Sequence, residues 1–111
     1  MYEDKKANRV LVANIPMPVA DKEYVWSLPK GCKWFTLHVR DATAARIAFK
    51  TGHVANSVEP YFTLKANTSW DEKYLEVDIS RGLPVFFACA GAGKVVEVVL
   101  GVYDDNLEGM E

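Results

Sequence analysis

The strongest constraint on this chain is a period of two in its apolar residues. From Cys32 to Arg40, Phe35, Leu37 and Val39 alternate with Trp34, Thr36, His38 and Arg40. Successive side chains of a strand point to opposite faces, so the first set suits a core and the second suits solvent or a neighbour. Cys32 then belongs with Trp34 on the outer face, and Lys33 with the inner set at a frayed strand start, where its ammonium still reaches water.

The same period recurs along the chain. Arg9 to Ile15 reads as a first strand, closed by Pro16 and Pro18 into a turn or irregular edge. Lys22 to Leu28 reads as a short strand with Tyr24 and Trp26 on one side, ended by Pro29-Lys30-Gly31. Ala44 to Phe49 sets Ala45, Ile47 and Phe49 against Arg46 and Ala48, and only Asp41-Ala42-Thr43 separates it from the strand before, so the two read as a hairpin. A helix over 41–50 is the competing reading, weakened by the lack of an apolar stripe. Tyr61 to Ala66 is a strand with Phe62 and Leu64 on one face, followed by a loop, 67–73, carrying an exposed Trp70. Tyr74 to Ile79 alternates again, and Ser80 to Pro84 turns the chain. Val85 to Ala90 and Lys94 to Tyr103 are almost continuously apolar and read as a central hairpin joined by Gly91-Ala92-Gly93.

About eight strands with a turn every eight to twelve residues predict an all-β fold, a single antiparallel β-sandwich or jelly-roll-like domain. With 111 residues the chain is long enough for one core. Residues 1–8 read as a short flexible arm, and 104–111, with Asp104, Asp105, Glu108 and Glu111, as an acidic solvated tail. Neither a signal peptide nor a membrane span is expected, so synthesis is expected in the cytoplasm.

A formal net charge of −2 gives no global reason to bind nucleic acid or an anionic membrane. The two cysteines, Cys32 and Cys89, stand at no metal-like spacing from each other or from the two histidines, and read as reduced, largely buried thiols. Neither a metal nor any other cofactor is expected. Gly91-Ala92-Gly93-Lys94 is too short for a phosphate loop and precedes a β-branched run instead of a helix. His38-Val39-Arg40-Asp41 has an extra residue relative to a kinase catalytic loop. No serine lies in a nucleophile elbow, and Glu76 and Asp78 read as an ordinary solvated face rather than a glycosidase pair. The expectation is a binding or structural protein, not an enzyme.

Aromatics are the most informative remaining residues. Tyr24, Trp26, Trp34, Tyr61, Trp70 and Tyr74 fall at outward or loop positions, and all but Tyr24 join His38 and Arg40 in the candidate interface. The bland alternative is that some of them face a second sheet and fill the core. Trp34, His38 and Arg40 could also join Arg46 and Lys50 of the next strand in a single-strand nucleic-acid platform, but such platforms sit in basic grooves and this chain is net negative.

Three stretches together resemble small β-sandwich virion proteins of tailed bacteriophages: Trp34 to Arg40 followed by Ala45 to Phe49, Pro60 to Ala66, and Val85 to Val98. The resemblance covers 34–98 and carries no functional residue with it. It implies a place on the virion as a head decoration (cement) protein bound to the major capsid protein, or else a head–tail connector or tail component. It also implies a homo-oligomer, a trimer being favoured. The alternative is a carbohydrate- or protein-binding module with Trp70 in its groove.

Overall fold

A computed structural model of the chain describes residues 6–41, 43–73, 75 and 82–103. Within them lie eight strands: β1 Arg9–Met17, β2 Tyr24–Leu28, β3 Cys32–Val39, β4 Ala45–Ala48, β5 Phe62–Leu64, β6 Trp70–Glu72, β7 Leu83–Ala88 and β8 Lys94–Val102. They form two four-stranded antiparallel sheets, ordered β1-β8-β3-β6 and β2-β7-β4-β5. The all-β sandwich read from the alternation is the fold observed.

The strand order has a simple origin. β1 pairs with β8, β2 with β7, β3 with β6 and β4 with β5, so the chain is one long antiparallel ribbon closed at the β4–β5 end. Rolling that ribbon adds the β3–β8 and β4–β7 ladders, which is the winding of a jelly roll. Two hairpins read from the sequence are thereby corrected. β3 and β4 lie in different sheets, because both edges of β3 are already held, by β8 and β6. β7 and β8 are likewise split between the sheets, each central in its own. A short connection can arch between two sheets as well as close a hairpin, and alternation cannot tell these apart.

The core lies between the sheets. Phe35, Leu37 and Val39 of β3 face Ile47 and Phe87 of the opposite sheet, joined by Met17, Val85, Val96, Val98 and Leu100. Each such side chain contributes about 1.5–3 kcal/mol on leaving water. Tyr24 and Trp26 also turn inward and pack on this core, while Val25 between them is exposed.

Cys32 departs from the sequence reading. It is buried in the core, not aligned with Trp34 on the outer face, because a register irregularity between Cys32 and Trp34 resets the alternation at the start of β3. Burial pushes its thiol pKa up, partly offset by the hydrogen bond from its Sγ to the Trp34 carbonyl at 3.5 Å. Both cysteines are free and buried. Gly31, just before, has φ +84° in the left-handed region, and a Cβ there would run into the Tyr103 carbonyl.

Trp70 is a second correction. It opens β6 instead of sitting in an exposed loop, and pairs with Leu37. Its ring meets Phe35 edge-on at 5.0 Å, Phe62 at 5.7 Å and Phe49 at 6.0 Å, closing the β5–β6 edge of the sandwich. The strand expected at 74–79 and the acidic tail fall outside the described residues, apart from Leu75, whose N–H donates to the Lys33 carbonyl at 3.0 Å. The first strand runs two residues past its expected end, through Pro16 to Met17. Within the expected arm, the Asn8 N–H donates to the Val102 carbonyl at 3.0 Å.

Phe87 is fully buried and Phe62 is 49% exposed. Phe87→Ala is expected to destabilise by about 3–5 kcal/mol. Phe62→Ala, which gives up part of an aromatic contact at the rim, should cost about 1 kcal/mol. Urea denaturation of the two variants checks this difference.

Candidate functional site

The two sheets treat their outer faces differently. Over the β2-β7-β4-β5 sheet the segment from Phe49 to Tyr61 folds back, and Val54 is fully buried against Ala48 and Ala88, with Tyr61 and Phe86 beside it. Arg46 holds this segment in place. Its guanidinium donates to the carbonyls of Val54 and Ala55 and to Asp21 at 2.7 Å. Glu23 adds a second tether by accepting from the Thr51 hydroxyl at 2.6 Å and the Gly52 N–H at 2.8 Å.

Over the β1-β8-β3-β6 sheet no described segment is tethered in this way, although the Ala7 methyl reaches the outward side of Gly101. Its outer face can be read as rows across the strands. Val10, Gly101 and Trp34 form the first row, and Val12, Val99, Thr36 and Asp71 the second. Asn14, Glu97 and His38 form the third, and Arg40 lies just beyond. The first two rows are mainly apolar: Val10 is 62% and Val12 72% exposed. Trp34 lies across Gly101, and a Cβ at that glycine would fall inside the indole, so the missing side chain makes room for the ring.

The third row is polar and internally paired. Glu97 accepts from Arg40 Nε at 2.7 Å and lies 2.8 Å from His38 Nε2. An ionised carboxylate only accepts, so His38 Nε2 carries the shared proton. Arg40 also reaches Asn14 Oδ1 at 3.4 Å. The Arg40 hydrogen bond first, and that of His38 second, hold the Glu97 carboxyl below the usual carboxylate range. Beside Trp34, an open depression is lined by Trp34, Thr36, Asp71, Glu72 and Lys73, and the Thr36 hydroxyl donates to Asp71 within it.

The candidate interface residues therefore separate. Trp34 and His38 share the outer face of β3, and Arg40 follows on the same side just past its end. Trp26 and Trp70 pack against the core, and Tyr61 helps cover the second sheet. Tyr74 lies outside the described residues. Arg46 belongs to the other sheet and Lys50 follows it, so the nucleic-acid platform of five residues is not assembled on one face. Val10, Val12, Val99 and Glu97 complete the face and were not singled out from sequence. The available signal was that β1 is apolar at both parities, Val10 and Val12 against Leu11 and Ala13, so one apolar set had to lie outside.

His38 stands beside a carboxylate, but on an open strand face and not in the depression. His53 Nδ1 is engaged with the Val58 carbonyl at 2.8 Å. Among the described residues no group of three His, Cys, Asp or Glu is placed to hold a metal ion.

No family model matches the sequence, and no curated protein matches it. Among solved structures, the chain is similar to a de novo designed double-stranded β-helix, at 12% identity and TM-score 0.46, over 84% of this chain and 97% of that one. It is also similar to a chain from the disulfide-linked pili of Bacillus endospore appendages, at 11% identity and TM-score 0.45, over 94% and 96% respectively. Likenesses of this size do not assign a role.

The lowered Glu97 pKa sets a sign. Any stability it lends is present above the unfolded carboxylate value and is lost as pH falls through the lower folded one. A carboxyl NMR titration should place Glu97 below an ordinary glutamate, and Arg40→Gln should move its midpoint upward.

Proposed function

We propose that the chain is a non-catalytic structural protein of a tailed-bacteriophage virion, a decoration protein that docks on the major capsid protein through the outer face of the β1-β8-β3-β6 sheet. The observation that carries the docking face is the exposed pair Val10 and Val12 beside Trp34, on the sheet that the 49–61 segment leaves open. An apolar strip bordered by a paired charge group has the make-up of an interface centre with a polar rim. The virion placement rests on the sequence resemblance over 34–98. In this reading many copies, each with a modest contact, reinforce the shell by multivalency.

A second reading, a carbohydrate-binding module, is favoured by the depression beside Trp34, where an indole stands next to Thr36 and Asp71. Trp70, first in line from sequence, already has three aromatic rings against it. Quenching or shift of tryptophan fluorescence across a glycan panel would support this module, and its absence would count against it.

The docking reading is tested by cosedimentation with purified capsids of tailed bacteriophages. Wild-type protein is expected to cosediment, Trp34→Ala to bind about tenfold or more weakly, and Val25→Ala, on the opposite sheet, to bind as wild type. Circular dichroism controls for folding. No cosedimentation of the wild type, or unchanged binding by folded Trp34→Ala, counts against the proposal.

A further inference from the structure

Three of the four edge strands in this sandwich are short: β2 has five residues, and β5 and β6 three each. Shortness is one way in which sheet proteins keep edges from pairing with other chains. β1 is the exception, with nine residues and nothing beyond it among the described residues.

The backbone direction along β1 follows from its neighbours. The Arg40 N–H donates to the Val95 carbonyl at 2.8 Å. Bonding alternates along an antiparallel ladder, so the odd-numbered residues of β8 bond toward β3 and the even-numbered ones toward β1. Their partners on β1 are Leu11, Ala13 and Ile15. Val10, Val12, Asn14 and Pro16 therefore turn their backbone groups to the free edge. Pro16, which has no N–H to offer, sits at a position where β8 asks for none. From Val10 to Asn14 that edge carries no proline and no charged side chain.

We propose that β1 pairs antiparallel with β1 of a second copy of this chain, about a twofold axis at Val12, joining two four-stranded sheets into one of eight. A second copy fits because the edge is self-complementary. In this register Val12 opposes its own mate, Val10 opposes Asn14 and Arg9 opposes Ile15, so no like charges meet. The twofold relation satisfies the free N–H and C=O groups of Val10, Val12 and Asn14 on both chains, and it closes, leaving no growing filament. It also sets the exposed Val10 and Val12 of both copies side by side, doubling the apolar strip. The pairing goes beyond the virion reading and does not depend on it.

Light scattering on the purified chain, from micromolar to millimolar concentration, tests this. The expected mass is twice that of one chain. Val12→Lys places two ammonium groups opposite each other on a side chain that is otherwise solvent-exposed. Val12→Pro removes an outward N–H at an edge position of the kind that tolerates proline. Both should halve the mass and keep the wild-type circular dichroism spectrum. A wild type that stays monomeric, a threefold mass, or a twofold mass that both variants retain overturns the pairing. Loss of the fold in Val12→Pro overturns it too, since the Val12 N–H would then be bonding β8. Capsid binding lost with the dimer intact would sink only the decoration reading.

Discussion

The ladders on either side of β8 hold the rest of the structure together. β8 receives β1 along its whole length and β3 along most of it, so residues from the start, the middle and the end of the chain meet on one strand. Its inward residues Val96, Val98 and Leu100 are also core residues. The same strand thus provides the hydrogen bonds of two ladders and a central strip of the apolar interior. With β8 on one edge of β3 and β6 on the other, β4 must leave for the other sheet, and the ribbon has no option but to roll. These contacts are distant in sequence, which makes the folding nucleus of such a topology costly in loop-closure entropy.

Rolling leaves two outer faces, and the chain spends its long 49–61 segment on one of them. Arg46 is the hinge of that arrangement. Its side chain stands outward from β4 and takes two backbone carbonyls and a carboxylate, which secures Val54 over Ala48 and Ala88. The other outer face keeps its valines in water and ties its charges to one another through Glu97. Water-exposed valines on a regular, rigid sheet are a costly arrangement to keep unless something else covers them, and that asymmetry gives the molecule a preferred side for contact.

Within the sequence, the parity of most core strands was legible. Phe35, Leu37 and Val39 were expected inside and are inside; His38 and Arg40 were expected outside and are outside. Parity failed at Cys32, where one irregularity in the β3–β8 register shifted the count. It gave no warning at Trp70, where polar neighbours such as Ser69 and Asp71 look like loop and the aromatic contacts that make a strand come from Phe35, Phe49 and Phe62, remote in the chain. Of the candidate face, Trp34, His38 and Arg40 could be read from one strand, whereas Val10, Val12, Val99 and Glu97 joined them only through register.

Alternation by itself determined that this chain is all-β, which residues of a strand share a face, and that the nearly continuous apolar runs at 85–90 and 94–103 would be central. It could not determine which sheet each strand joins, because a side-chain period of two fixes facing and leaves neighbours open. Tertiary structure decided that, through the occupancy of strand edges. It also decided which apolar face would be covered and which left free, because covering depends on where the 49–61 segment can reach and on the Arg46 and Glu23 contacts that hold it there.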